Sequence, residues 1–184
     1  MRRLLISLCS PLLLVACATA PDIPPRQSSG IPLPPQPDLA PPRAQLADFV
    51  LVDKSDRALR LYADGRAFRR FDGLQFGDAP QGHKRFQGDE RTPEGRYTID
   101  YHNPQSSYHL SLHISYPNGG DRAHAGQYGR SPGGAIFLHG QPNGLAAGHR
   151  MQGDWTDGCI ALANHEIEEL WRLIPDGTPI EIRP

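Results

Sequence analysis

One histidine and one cysteine carry the chemistry this sequence offers. His139 closes a short apolar run, Ile136-Phe137-Leu138, and Gly140 follows it directly. Cys159 opens a second apolar run, Ile160-Ala161-Leu162, after a glycine-rich loop and the turn Trp155-Thr156-Asp157-Gly158. If the two runs are neighbouring strands, imidazole and thiol face one another. That is the material of nucleophilic catalysis, a base to take the proton and a thiolate to attack.

The cysteine count sharpens this reading. The chain holds 184 residues and three cysteines. Arg2 and Arg3 precede an apolar stretch, Leu4 to Val15, too short to span a bilayer as a helix. It ends as Leu14-Val15-Ala16-Cys17, the pattern of a bacterial lipobox, with an ordinary signal peptide or a buried helix as the alternatives. Residues 1–16 are thus expected to be a lipoprotein signal peptide and Cys17 the lipidated residue, a membrane anchor without a span. Ala18 after the cysteine favours the outer membrane of a Gram-negative envelope, so the expected location is the periplasm. Cys9 leaves with the leader, and Cys159 remains as a free thiol in an oxidising compartment. It is either an inert, buried small hydrophobe or a nucleophile, and the nearby glycine and upstream histidine favour the nucleophile.

A formal net charge of -1, with no basic block, gives no sign of a nucleic-acid partner. Residues 17–46 are crowded with proline, from Pro21 to Pro42, and hold too few aromatic or β-branched residues to fold. They form an extended linker of roughly 3 Å per residue wherever the polyproline conformation holds. Residues 47–184 suffice for one domain.

That domain reads as mostly β. Phe49 to Val52 and Leu59 to Tyr62 flank a hairpin loop at Lys54 to Arg57, and Ala67 to Phe71 pairs next, with Leu74 to Phe76 continuing the sheet. A long glycine- and charge-rich loop runs from Gly77 to Gly95, a length that marks function or disorder. Arg96 to Asp100 is the next strand. Tyr108 to Tyr116 alternates, with Leu110, Leu112 and Ile114 facing the core and His109, Ser111, His113 and Ser115 opposite. Pro117 to Gly134 reads as irregular. Asn164 is the expected N-cap of a helix that lays Ile167, Leu170, Trp171 and Ile174 on the sheet. Pro175-Asp176-Gly177 stops that helix, and Thr178 to Ile182 is expected as an edge strand.

His139, sixteen intervening residues and then Thr156-Asp157-Gly158-Cys159 resemble the signature of the L,D-transpeptidase (YkuD) catalytic domain, a histidine followed at about this gap by Ser/Thr-His-Gly-Cys. The likeness continues in Gly77…Pro80…Gly82…Lys84 and in Gly88-Asp89…Thr92-Pro93…Gly95…Tyr97. Trp155 to Leu162 and Ser115 to Asn118 resemble the YafK-like branch. The resemblance implies a β-sandwich or incomplete barrel with one packed C-terminal helix, α+β at most, and no cofactor. It implies peptidoglycan stem peptides as substrate, with Cys159 attacking the diaminopimelate–D-Ala carbonyl. His139 is then the base, Gly140 orients the imidazole through its carbonyl, and the Gly158 and Cys159 N–H groups form the oxyanion hole. Tyr116, His113, Trp155 and Thr156 are the expected substrate contacts.

Two residues depart from the family pattern: Asp157 replaces the histidine before Gly-Cys, and Ala161 replaces an asparagine or arginine. An ionised Asp157 opposes thiolate formation. Three other readings stay open: a hydrolase using the same nucleophile on stems or a wall-linked lipoprotein, a non-catalytic wall-binding lipoprotein, and a zinc site from His139, His149 and Cys159. The last lacks the usual compact ligand spacing.

Overall fold

The computed structural model describes residues 45–184. The expected signal peptide, Cys17 and nearly all of the expected proline-rich linker lie outside the described residues.

Eight strands form one curled, half-barrel sheet. In chain order they are β1 (Phe49–Asp53), β2 (Ala58–Ala63), β3 (Arg66–Asp72), β4 (Gly95–Asn103), β5 (Ser111–Ile114), β6 (Ile136–His139), β7 (Ile160–Ala161) and β8 (Thr178–Arg183). Helices α1 (Gly119–Gln127) and α2 (Asn164–Leu173) complete the domain. The spatial order is β3-β2-β1-β8-β4-β5-β6-β7. The pairs β1–β8 and β6–β7 are parallel and the rest antiparallel.

The alternation of β5 and β6 decides which side chains become core. Leu112 faces Leu138 and Ile114 faces Ile136, and all four are buried. Ser111 opposite His139 and His113 opposite Phe137 project from the other face. The α2 helix packs on β5 and β6 through Ile167 and Leu170, so the strand carrying His139 is held from behind. Among the described residues no helix is long and apolar enough to cross a membrane.

Four expectations require correction. The C-terminal strand is central rather than an edge: β8 lies between β1 and β4, because Thr178, Ile180 and Ile182 turn a buried face into the core. The strand expected over Tyr108 to Tyr116 is limited to Ser111–Ile114, since His109 takes a φ of 65° and breaks the ladder. The irregular stretch after Pro117 contains α1, so a second helix joins the expected one. The Asn118 side chain accepts the Asp121 N–H while Asp121 reaches back to the Asn118 N–H, a capping box that nucleates a helix with almost no apolar stripe. Finally, the cap of α2 is Ala163, with Asn164 already helical. Glu166 accepts the Ala163 N–H there, and the Asn164 side chain is used elsewhere.

Candidate active site

The parallel pairing of β6 with β7 sets Leu138 against Ile160 and His139 against Ala161. One step earlier on each chain, Cys159 comes level with Phe137, on the face that also carries His139. His139 on β6 and Cys159, the residue just before β7, thus lie offset by two residues and line one cavity of about 900 Å³. Gly133, Tyr108, Trp155 and Asp157 stand among its walls.

The imidazole is held on all sides. Its Nδ1 donates to the Gly140 carbonyl at 2.7 Å, and because a carbonyl only accepts, the proton sits on Nδ1. Nε2 is left with its lone pair free to act as a base. Tyr108 packs 4.7 Å from the ring and Trp155 5.5 Å. With 3% of the residue exposed, burial pushes the imidazole pKa down to about 4, against the smaller, opposing pull of the Gly140 hydrogen bond. His139 is therefore neutral at neutral pH.

Gly140 has no room for a side chain. A Cβ there would lie 2.6 Å from Asn164 Oδ1 and 3.0 Å from the His109 Cβ. Its own N–H donates to the Tyr108 and Leu110 carbonyls. The next N–H, of Gln141, donates to Asn164 Oδ1 at 2.8 Å. The amide groups on both sides of the Gly140 carbonyl are thus anchored.

The turn before Cys159 is clamped by residues 75–77. Gln75 bridges to Ala161 and Gly77 to Thr156, so one extended segment grips both ends. Asp154 adds a two-pronged ion pair with Arg57 at 2.8 and 2.6 Å and accepts the Phe76 N–H. Thr156 Oγ1 donates to the Cys159 carbonyl at 2.8 Å and accepts the Gly158 N–H at 3.2 Å. Gly158 adopts a φ of 118°, and a Cβ on it would approach the Arg91 carbonyl to 2.4 Å. Only glycine fits there.

Cys159 is partly exposed to the cavity, yet protein crowds the sulfur closely. Burial is the largest influence and raises the thiol to about 11. Hydrogen bonding from the Phe137 backbone favours thiolate, Asp157 disfavours it and Lys84 favours it. The thiol donates to the Ala135 carbonyl at 3.5 Å. The pair therefore rests as neutral thiol and neutral imidazole.

The other expected site residues are distributed as follows. Of the two backbone donors expected for an oxyanion hole, the Gly158 N–H is occupied by Thr156, while the Cys159 N–H meets no protein acceptor among the described residues. Thr156 borders the cavity, but its hydroxyl is engaged within the turn. Trp155 lines the cavity, and its buried indole N–H lacks an acceptor among the described residues. Tyr116 is not brought to the site: it is buried against Tyr97 and donates to the Pro132 carbonyl. His113 shares the sheet face with Phe137 and is bonded to Asp100 and stacked on Tyr101, beyond the cavity wall.

His149 is exposed, its Nδ1 turned to the Ala147 carbonyl, and among the described residues no group of three His, Cys, Asp or Glu could hold a metal ion. The zinc alternative is therefore not assembled. Sequence reasoning missed Tyr108, the Gln141 and Gln75 side chains that bond each other at 3.1 Å beneath the site, and the placement of Lys84. The density of glycine and charge around Lys84 was the available signal.

A curled sheet carrying this histidine and cysteine defines a known class. The sequence profile of the YkuD L,D-transpeptidase catalytic domain matches residues 47–182, and the chain belongs to that family. The protein named "Putative L,D-transpeptidase YafK" of Escherichia coli (strain K12) is 27% identical over 133 residues, covering 68% of this chain and 46% of the relative. Among solved structures, the helical cell shape determining protein Pgp2 of Campylobacter jejuni superposes with a TM-score of 0.59 at 30% identity, over 73% of this chain and 46% of that one. Bd1075 of Bdellovibrio bacteriovorus shares the fold, with a TM-score of 0.53 at 24% identity, over 76% of this chain and 51% of that one. The chain spans less than half the length of YafK and of Pgp2.

Proposed function

We propose that this protein is an envelope-anchored cysteine L,D-transpeptidase acting on peptidoglycan stem peptides. The observation that carries the reading is the placement of His139 and Cys159 on one sheet face at the floor of the cavity, within a domain of this family.

His139 Nε2 takes the thiol proton as sulfur attacks the carbonyl between diaminopimelate and D-Ala. The oxygen of the tetrahedral intermediate turns toward the Cys159 N–H. Collapse breaks the C–N bond, and the imidazolium returns its proton to the departing D-Ala amine. An acceptor amine then attacks the thioester, loses its proton to His139 and leaves Cys159 as a thiol.

Deacylation by water is the second reading, giving trimmed stems or release of a wall-linked lipoprotein. Asp157 favours it, because a carboxylate beside the cavity, where the family pattern has histidine, alters the surroundings of the incoming acceptor. A wall-binding protein without activity has less support, since both reactive side chains are present and the base carries a free lone pair.

Lipidation at Cys17, with the proline-rich spacer, accounts for how such a domain reaches the wall from the outer membrane. The likeness to a cell shape determining protein supports a role in shaping the wall.

The test incubates the full chain and a Cys159→Ala variant with disaccharide-tetrapeptide and reads products by mass. A 3–3 linked dimer with D-Ala release supports the transpeptidase, and tripeptide alone supports the hydrolase. No D-Ala release from tetrapeptide or from lipoprotein-linked wall overturns both.

A further inference from the structure

We infer that Lys84 is a positioning residue for the nucleophile: its ammonium, held behind the Gly158–Cys159 turn, favours the charged form of the sulfur. The inference rests on Cys159 being the nucleophile, and deepens that reading.

Lys84 comes from the long loop between β3 and β4, far from the reactive pair in sequence, and its side chain is only 3% exposed. Burial of a cation is costly unless a counter-charge and hydrogen bonds compensate. Asp89 supplies the counter-charge, accepting from Lys84 Nζ at 2.9 Å. Its carboxylate is itself fixed by the Arg85, Phe86 and Arg91 N–H groups at 2.6, 2.9 and 3.3 Å. The ion pair is therefore locked to the loop backbone.

Two glycines make space for the lysine. A Cβ on Gly158 would lie 3.4 Å from Lys84 Nζ, and one on Gly133 would lie 3.5 Å from Lys84 Cε. The stem thus passes beside Gly133 and delivers its ammonium against the residue preceding Cys159. Of the three ammonium protons, Asp89 engages one, and the others meet no protein acceptor among the described residues. Asp89 thus holds the ammonium against the turn while leaving two of its protons unpaired within the described residues.

The charged and titratable groups around the sulfur come from three places. Asp157 lies on its own turn, His139 on β6, and Lys84 with Asp89 and Glu90 on the loop, while the segment 133–135 adds only neutral wall. His139 is neutral, and Asp157 is the carboxylate that disfavours the thiolate. Lys84 opposes Asp157. In the reaction the thiol proton still goes to His139 Nε2; Lys84 keeps its own protons and acts through its charge alone.

The experiment measures alkylation of Cys159 by iodoacetamide in the full chain between pH 7 and 10, with the modified peptide quantified by mass. It needs no peptidoglycan. Lys84→Met combined with Asp89→Asn removes both charges together, so no orphaned carboxylate confuses the result. The rate at each pH is expected to fall by about threefold or more, because on this limb the thiolate fraction drops in proportion as the thiol is held more tightly protonated. Asp157→Asn is expected to shift the profile the opposite way. Where the double variant melts below the wild type, Lys84→Gln combined with Asp89→Asn is read in the same manner. An unchanged profile in a folded variant overturns the inference, even if the wall is processed normally. A shifted profile sustains it, even if wild-type protein leaves peptidoglycan untouched.

Discussion

Asn164 Oδ1 accepts the Gln141 N–H at 2.8 Å, and that amide lies in the same peptide plane as the Gly140 carbonyl that holds His139. A residue at the start of α2 thus sets the angle of the His139 ring through the Gly140–Gln141 peptide. The helix is fixed to β5 and β6 by buried Ile167 and Leu170, so the reference point is rigid.

Asn164→Ala is expected to lower kcat by about tenfold or more with KM little changed, because a tilted imidazole misaligns proton transfer. It also leaves the Gln141 N–H unpaired, at a cost of about 1–2 kcal/mol. Asn164→Asp keeps the acceptor and is expected to stay near wild type. Steady-state kinetics on the three proteins, with thermal melting, check this.

The fold was largely legible because alternation is a strong signal where one sheet face is core. Leu112, Ile114, Ile136 and Leu138 announce themselves, and the opposite face, with His139, follows from parity. Strand order was not legible: nothing in Thr178 to Ile182 says that it inserts between β1 and β4, because that choice is made by long-range pairing. Helix α1 was hidden for another reason. It buries only Asp121 and Ala125, so periodicity is absent, and the signal lies in the Asn118–Asp121 cap alone. Residue types and gap singled out His139, Gly140 and Cys159, and the fold brings His139 and Cys159 to one cavity. Asn164 misled because an asparagine before a helix ordinarily caps it, whereas here its oxygen serves a backbone amide of another element.

The buried His139 makes stability depend on acidity. Its folded pKa of about 4 lies below the ordinary histidine value, so below pH 6.5 the unfolded chain binds a proton that the folded one refuses. The stability in question is therefore present above about pH 6.5 and is lost as pH falls toward 4, by about 3 kcal/mol in all. His83, also lowered chiefly by burial, contributes in the same direction. Urea denaturation across pH 4 to 7 is expected to show a shallower slope for His139→Gln than for wild type.

Gly158→Ala tests the turn. The new methyl would approach the Arg91 carbonyl to 2.4 Å, in a conformation that L residues rarely adopt. A loss of about 2 kcal/mol or more is expected, together with loss of activity, because both clash and backbone strain fall next to the nucleophile. Melting temperature and thiol content measured on the same samples separate a displaced turn from an oxidised cysteine.

The central claim is that Cys159 forms an acyl bond with a stem peptide after His139 removes its proton. Intact-protein mass spectrometry during incubation with disaccharide-tetrapeptide tests it most directly. The account expects wild type to gain the mass of the substrate less D-Ala, mapped to Cys159. Cys159→Ala should gain nothing, and His139→Ala should acylate at least about a hundredfold more slowly. D-Ala release that persists in Cys159→Ala, or acylation at full rate in His139→Ala, would contradict it.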